Sequence, residues 1–206
     1  MYTSVNESDV DIFKQPARIL IAGISGCGKS FFVSRLIGKY RKYFNQIIVI
    51  GSDLENCEGL DVKRDDIFSP LVDDFKGSIL VIYDDIILNK KLLSDAADIF
   101  CRGRHMKISV IVLSQNLFFS CKYFRLISLN SSHIILFRNR NLKQISCFAQ
   151  SFLMKNDIEF FLILYRKVVL KQQYSYILID FTKTIEDILA IRSLVANENY
   201  EVVYTL

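Results

Sequence analysis

Glycine and proline are scarce in this chain of 206 residues, which contains eight glycines and two prolines. Linkers between domains are often rich in these residues, so no linker that would divide the chain is evident. We also find no internal repeat and no low-complexity run, which argues against a repeat architecture. Hydrophobic residues make up 51% of the chain and charged residues 23%, so the chain can bury a large core. Its length predicts one domain with at most a small appendage.

The cysteines are scattered and odd in number: Cys27, Cys57, Cys101, Cys121 and Cys147. None stands in a C-x-x-C pair or a Cys/His cluster, so we predict neither a disulfide framework nor a zinc site. The segment Met1–Lys14 is polar and acidic, unlike a secretory signal, so we expect reduced thiols in an intracellular protein that is not secreted. No apolar run approaches the length of a membrane span. The net charge of +4 only mildly favours nucleic acid as a partner.

Residues 23–30 match the pattern G-x-x-x-x-G-K-[ST]. The motif follows a short apolar run, Arg18–Ala22, that fits a buried strand, and it precedes Phe31–Tyr40, whose apolar residues recur at helical spacing. Glycines let the main chain turn its N–H groups toward an anion, and the next helix adds its positive end. Lys29 would reach the β- and γ-phosphates, and the Ser30 hydroxyl would bind Mg²⁺. We therefore predict that a nucleotide is bound by Gly23, Ile24, Ser25, Gly26, Cys27, Gly28, Lys29 and Ser30. A chance glycine turn before a helix is the alternative.

Strand and helix signals alternate along the rest of the chain. Further strands are predicted at Gln46–Ile50, Ser78–Tyr83, Ile108–Leu113, His133–Phe137 and Tyr176–Asp180. Helices are predicted at Phe68–Phe75, Lys91–Phe100, Asn141–Phe152, Asp157–Val169 and Thr184–Leu194, and Glu201–Tyr204 has the pattern of a strand. Strands joined by helices indicate an α/β fold, with a mostly parallel central sheet and helices on both faces. In such sheets ligands bind beyond the carboxyl ends of the strands.

Polar side chains follow two of the predicted strands. Asp84 and Asp85 come directly after the strand at 78–83, and Gln115 follows the strand at 108–113. Phosphoryl transfer needs an acid in the Mg²⁺ shell and a base that orients the attacking water, roles that suit Asp84 and Asp85 respectively. The amide of Gln115 could hydrogen-bond both the γ-phosphate and the water. Solvated acids at a strand-ending turn, and a plain polar strand end, are the alternatives.

A basic segment at 102–105, Arg-Gly-Arg-His, precedes the strand at 108–113. It would therefore lie at the opposite edge of the sheet from the phosphates of its own subunit. An arginine there could enter the site of a neighbour that packs head to tail, where it would neutralise transition-state charge. A basic helix end favoured by the helix dipole is the alternative.

The order of these motifs resembles the FtsK–HerA superfamily of DNA-pumping ATPases. The resemblance rests on G-I-S-G-C-G-K-S, on I-L-V-I-Y-D-D, and on R-G-R-H-M-K-I-S-V-I-V-L-S-Q-N. Ser132–Asn139, a strand followed by F-R-N, is similar to the viral branch, the genome-packaging ATPases of poxviruses, giant viruses, virophages and Polinton-type elements. Tyr176–Asp180 is also similar to this viral branch, as a late strand before a helix that carries Arg192. The resemblance implies a P-loop NTPase domain of the RecA/ASCE type at 17–196, with an N-terminal extension at 1–16 and a C-terminal tail at 197–206.

The resemblance also implies roles for individual residues. The nucleotide would be ATP, Asp84 would complete the Mg²⁺ site, Gln115 would be the polar sensor and Asp85 the base. Arg104 matches the place of the trans-acting arginine better than Arg102 does. Cellular members usually carry Asp-Glu where this chain has Asp84-Asp85, so the shorter second acid must sit closer to the water or act through another group.

Partners follow from the same resemblance. It implies sequence-independent binding of double-stranded DNA, a homo-oligomeric ring of five or six subunits, and docking at a capsid portal or vertex. It places the protein in the nucleus or cytoplasm of an infected cell and in the virion. A pore loop needs Lys or Arg near phosphates and little base readout. The candidates lie beyond the fourth and fifth predicted strands and are Lys122, Arg125, Arg138, Arg140 and Lys143, each of which is alternatively a solvated surface charge.

Three functions from different classes stay open at this point. The first is a DNA-packaging ATPase. The second is a P-loop kinase of a small molecule, although such kinases usually carry an arginine-rich lid and only the isolated Arg138 and Arg140 are present. The third is a regulatory ATP-binding protein without turnover, in which Asp85 fails as a base. A GTPase is not expected, because Asn89-Lys90-Lys91 lacks the Asp of a guanine-reading N-K-x-D segment.

Overall fold

The short apolar runs of the sequence become strands of a single sheet. The computed structural model describes residues 2–6, 12–13, 16–51, 61–63, 77–170, 174–182, 191–194 and 200–204. Within them the strands are β1 (Tyr2–Asn6), β2 (Arg18–Ala22), β3 (Gln46–Ile50), β4 (Asp61–Lys63), β5 (Ile79–Asp84), β6 (Ile108–Ser114), β7 (His133–Leu136), β8 (Ile177–Asp180), β9 (Ile191–Leu194) and β10 (Tyr200–Tyr204). Their order is β1-β10-β9-β8-β7-β2-β6-β5-β3-β4.

Six neighbouring strands, from β7 to β4 in that order, run parallel. The remaining four extend the sheet beyond β7 in antiparallel pairs. Every residue of β5 and β6 is buried, as expected for parallel strands covered on both faces. The predicted α/β architecture, a mostly parallel sheet with flanking helices, is confirmed.

In the described part of the chain, five α-helices connect the strands: α1 (Lys29–Tyr40), α2 (Lys90–Arg102), α3 (Lys122–Asn130), α4 (Leu142–Phe152) and α5 (Asp157–Val168). In two of them the side chain of an asparagine caps the first turn. The side chain of Asn89 accepts hydrogen bonds from the main-chain N–H groups of Lys91 and Leu92, and Asn141 accepts one from Lys143. Such caps satisfy donors that the first helical turn leaves without partners, and each stabilises its helix by about 1 kcal/mol. No helix in the described part of the chain is long and apolar enough to cross a membrane.

Alternate residues of the central strands face two separate hydrophobic clusters. On β2, Leu20 and Ala22 belong to the first cluster, whereas Ile19 and Ile21 belong to the second. The first cluster includes the apolar faces of α2, α3, α4 and α5, and the second includes that of α1. Because each fully buried large apolar side chain stabilises the fold by about 1.5–3 kcal/mol, the two clusters hold the helices against both faces of the sheet.

The parallel strands bring their carboxyl ends to one side of the sheet, called here the carboxyl edge. β2 leads into the loop 23–28 there, β5 ends at Asp84 and β6 at Ser114. Because β8 is antiparallel to β7, with Ile177 opposite Leu136, β8 begins at this edge. The turn Gly103–Met106 precedes β6 and therefore lies at the opposite edge, as predicted for the basic segment.

The sequence-based prediction fails most clearly at the C-terminal end. The helix predicted at Thr184–Leu194 is wrong for its last four residues, which form β9 and pair with β10 and, through Arg192, with β8. Pairing in the sheet satisfies this main chain and overrides the local helical pattern. Residues 184–190 lie outside the described part, as does the helix predicted at Phe68–Phe75. The strand-like Glu201–Tyr204 is a strand, β10, and lies inside the sheet between β9 and β1.

Among the described elements, the strands β1 and β4 and the helix α3 lie where the sequence predicted neither a strand nor a helix. The strands β1 and β10 pair along their whole length, so the described residues at both ends of the chain join the same sheet. The division of the chain at residues 16 and 196 stays a prediction.

Candidate nucleotide site

The loop 23–28 is fixed at its start by both strands that flank β2. The main-chain N–H of Gly23 donates to the carbonyl of Ser114 at the end of β6 (3.1 Å), and that of Ile24 donates to the carbonyl of Arg138 beyond β7 (3.0 Å). A Cβ on Gly23 would lie 2.5 Å from the Cβ of Phe137, so only glycine fits at this point. The start of the loop is therefore held by main-chain hydrogen bonds to the segments that end these two strands.

The loop ends in a left-handed residue that starts α1. Gly28 has φ 102°, a conformation that L side chains rarely adopt, and its carbonyl accepts the first helical hydrogen bond, from Phe32 (2.9 Å). No side chain caps this helix, so its first N–H groups face the carboxyl edge without a side-chain partner. Lys29 folds back over the loop, where its ammonium donates to the carbonyls of Gly23 (2.7 Å) and Ile24 (3.0 Å). A helix N-terminus together with a lysine forms a positively charged cradle suited to phosphate.

A tight turn separates the two acids that follow β5. Asp84 is the last residue of the strand and is only 8% exposed, whereas Asp85 is exposed. Asp85 has φ 51° and ψ 37°, a left-handed conformation that Asp tolerates better than most residues. The turn therefore leaves Asp84 buried at the carboxyl edge and Asp85 exposed to solvent. Backbone strain of this kind is concentrated at functional sites.

Gln115 is placed at the tip of a small polar turn. The buried Ser114 hydroxyl donates to the carbonyl of Asn116 (2.5 Å) and accepts from its N–H (3.1 Å), which closes the turn. Gln115 is exposed between these two residues. Because β5 and β6 are neighbours in the sheet, with Asp84 opposite Leu113, this turn lies beside the acids.

One cleft of about 240 Å³ brings these groups together at the carboxyl edge. Its lining includes the predicted Lys29, Ser30, Asp84, Asp85 and Gln115. It also includes Phe31 and Tyr174, which the sequence analysis did not single out. Within the described residues, no cluster of three or more His, Cys, Asp or Glu side chains could hold a metal ion by itself. Mg²⁺ sites that use one or two carboxylates and substrate phosphates need no such cluster, so a hydroxyl at Ser30 and a carboxylate at Asp84 fit this metal.

Arg104 lies outside the cleft, in the exposed turn at the opposite edge. It is close to Arg18 at the start of β2. Burial, and secondly the charge of Arg104, lower the pKa of the Arg18 guanidinium. Among the described residues, the buried Nε of Arg18 has no hydrogen-bond partner. The two guanidinium groups therefore create a local positive potential at this edge.

The five basic residues proposed for DNA contact are all exposed. Lys122 and Arg125 lie in the first turns of α3, so the structure corrects the expectation of a loop there. Arg138 and Arg140 follow β7, and Lys143 lies in the first turn of α4. None of the five is among the residues that line the cleft.

Sequence reasoning missed a buried polar network behind the cleft. The hydroxyl of Tyr165 on α5 donates to the carbonyl of Phe137 and accepts from the N–H of Asn139, both at 2.9 Å. The side-chain oxygen of Gln144 accepts from the N–H of Leu117 (3.1 Å) and from the Asn139 amide (3.4 Å). This network joins the segment after β6 to the segment after β7. Asn139 belongs to the F-R-N motif, but no sequence signal marked Tyr165 or Gln144.

Cys27 is buried inside the loop, with 8% of its surface exposed. Burial raises the pKa of its thiol, and the charge of Lys29 opposes this only in part. A buried thiol with a raised pKa is a poor nucleophile, so Cys27 packs the loop and is not a candidate for covalent chemistry.

No family model and no curated protein matches the chain. Solved structures do match. The genome-packaging NTPase B204 of Sulfolobus turreted icosahedral virus 2, in complex with ATP-gammaS, is 16% identical with a TM-score of 0.61, over 81% of this chain and 93% of that one. Its complex with AMPPCP is also 16% identical, with a TM-score of 0.60 over 93% of this chain and 98% of that one. The pCW3 conjugation coupling protein TcpA, a monomer form with ATPgS, is 12% identical with a TM-score of 0.57, over 89% of this chain and 64% of that one. At these identities the likeness shows the fold, and at that level the resemblance inferred from the sequence is confirmed.

Proposed function

We propose that this protein is an ATP-hydrolysing motor that moves double-stranded DNA and packages a viral genome into a capsid. The observation that carries the proposal is the cleft at the carboxyl edge, which unites Lys29, Ser30, Asp84, Asp85 and Gln115. The fold around it is shared with a structure described as a genome-packaging NTPase and with a conjugation coupling protein. ATP analogues are bound in both of those structures, which supports ATP as the nucleotide here.

Each residue of the cleft has a separate role in phosphoryl transfer. Lys29 and the N-terminus of α1 bind the phosphates, and Lys29 exchanges its loop carbonyls for phosphate oxygens. Ser30 and Asp84 would hold Mg²⁺, which would neutralise charge that develops on the phosphates. Asp85, exposed at the mouth of the cleft, orients the attacking water and accepts its proton. The Gln115 amide donates to the γ-phosphate and accepts from the same water.

Arg104 acts in trans in this proposal. It lies at the edge opposite its own cleft, so it can reach a phosphate only in a neighbouring subunit. The Arg18 guanidinium beside it adds positive charge and favours an anionic partner at that surface. Head-to-tail contacts of this kind close into a ring if the rotation permits, and a ring of five or six subunits would surround the DNA. The ring would dock at a capsid portal or vertex, in an infected cell and in the virion.

The DNA would be bound through phosphate contacts from the exposed basic residues Lys122, Arg125, Arg138, Arg140 and Lys143. Such binding is insensitive to base sequence, and it weakens steeply as the salt concentration rises, because the release of counterions from the DNA then becomes less favourable. Titrations of two unrelated duplexes at several salt concentrations would test this. Binding that depends on sequence and persists at high salt would contradict a translocation motor.

The proposal is tested by ATP hydrolysis with and without double-stranded DNA. We expect Lys29→Ala and Asp85→Asn to lower turnover by at least about a hundredfold, because each removes electrostatic or general-base assistance. Lys39→Ala, at the exposed far end of the same helix, is the matched control and should retain activity. Asp85→Asn should still bind ATP. Unchanged hydrolysis in Lys29→Ala, or transfer of phosphate to a small molecule instead of water, would overturn the proposal.

A further inference from the structure

The cleft has two chemically different ends. In the strand order β8-β7-β2-β6-β5, the loop 23–28 follows the central strand of the five. The acids and Gln115 follow β5 and β6 on one side of the loop. Tyr174 precedes β8 on the other side, and Phe31 lies on α1 directly after Ser30. A phosphate chain bound along the loop therefore has carboxylates at one end and the Tyr174 ring at the other, while Phe31 also lines the cleft.

Tyr174 is held against the loop itself. A Cβ built on Gly28 would lie 2.9 Å from Cδ1 of Tyr174, so the ring lies directly on the last residue of the loop. Even so, 51% of the surface of this residue is exposed. Tyr174 also has φ 63°, a left-handed conformation that is rare for an aromatic residue. Packing in the core does not account for this placement, because the ring is half in solvent.

Phe31 is a second ring that the core does not use. The buried face of α1 is formed by Val33, Leu36, Ile37 and Tyr40. Phe31 lies off that face, is 65% exposed, and lines the cleft together with Tyr174. Single exposed apolar side chains are common on protein surfaces, but these two rings stand together at the same cleft.

We propose that Tyr174 and Phe31 form the nucleobase site of the cleft. The base of a nucleoside triphosphate stacks on the Tyr174 ring and contacts Phe31, while the triphosphate follows the loop toward Asp84 and Asp85. Aromatic faces suit this purpose because every base offers a π surface for stacking. This inference rests on the proposed function, since it assigns a further part of the same nucleotide.

The test compares two ligands that differ in whether they carry a base. The affinities of ATP and of inorganic tripolyphosphate are measured for the parent protein, Tyr174→Ala, Tyr174→Phe and Phe31→Ala. We expect Tyr174→Ala to weaken ATP binding roughly tenfold, the typical effect of losing one base-stacking ring, and to leave tripolyphosphate binding unchanged. Tyr174→Phe keeps the ring and should behave like the parent. Tyr43→Ala, which removes another exposed tyrosine ring outside the cleft, should change neither affinity.

The outcomes separate the two proposals. If Tyr174→Ala weakens both ligands equally, the ring acts by shaping the loop and the base site is wrong. If Tyr174→Ala changes neither affinity, the base site is also wrong while the phosphate site stands. If the parent binds neither ligand, the proposed function itself fails.

Discussion

Replacing Tyr165 with phenylalanine removes one oxygen atom from the network behind the cleft. That oxygen bridges two main-chain groups, because it donates to the carbonyl of Phe137 and accepts from the N–H of Asn139. All three residues are buried, with 1%, 1% and 7% of their surfaces exposed for Tyr165, Phe137 and Asn139. Water is therefore poorly placed to replace the hydroxyl.

The size of the effect follows from the groups left behind. A buried polar group that loses its partner costs about 1–3 kcal/mol, and Tyr165→Phe leaves two of them. The ring itself stays, so no cavity larger than an oxygen atom forms. We expect the free energy of unfolding to fall by about 3 kcal/mol. For a chain of 206 residues this lowers the melting temperature by about 6–12 °C.

Thermal and urea unfolding, followed by circular dichroism, would measure the change. Tyr43→Phe is the matched control, because Tyr43 is 58% exposed and keeps its ring contact with Tyr40 in the variant. The control should unfold within about 0.5 kcal/mol of the parent. A Tyr165→Phe protein that unfolds like the control would refute the reasoning, because it would show that the hydroxyl bridge contributes little to holding the segment after β7.

Three further predictions concern other parts of the fold. Gly51→Ala should prevent stable folding, because Gly51 has φ +109° and a Cβ there would lie 1.9 Å from a main-chain oxygen of β5. Gly38→Ala, in an open position on α1, should instead raise the free energy of unfolding by about 1 kcal/mol in urea titrations. Iodoacetamide at about pH 8 should modify the exposed Cys101 before Cys27, whose pKa is raised by burial, and mass spectrometry would reveal the reverse order if this is wrong. Burial, and then the charge of Asp95, raise the pKa of Tyr83 above its unfolded value, so the stability it contributes is complete below about pH 10 and is lost as the pH rises further. Tyr83→Phe should therefore flatten the loss of urea resistance above about pH 10, and an unchanged slope would contradict this assignment.

The parallel core of the fold could be predicted from the sequence because its strands are short, continuous apolar runs. β2 and β3 match their predicted limits, β5 begins and ends one residue later than predicted, and β6 ends one residue later. The C-terminal strands could not be predicted in the same way. Ile191–Leu194 contains no continuous apolar run, and it forms a strand through its pairing with β10 and β8.

Some residues of the candidate site could likewise be predicted from the sequence, and others could not. The motif at 23–30 and the acids after β5 could be predicted because the residues of each group are consecutive in the sequence. Tyr174 and the Tyr165 network come from distant parts of the chain that the sheet order brings to the carboxyl edge, so no local pattern marks them. Tyr174 and Tyr165 belong to no recognisable motif, and only their contacts in the structure distinguish them.

The central claim, a ring motor with shared sites, is tested most directly by mixing subunits. Phosphate release from ATP is measured with double-stranded DNA while Arg104→Ala protein replaces increasing fractions of parent protein. Arg102→Ala is the matched control, because its exposed ion pair with Asp98 (3.5 Å) contributes little. We predict that DNA stimulates the parent, and that Arg104→Ala lowers activity more steeply than simple dilution, because each variant subunit disables a neighbour's site. Hydrolysis that ignores DNA and falls in proportion to the parent fraction would contradict the account.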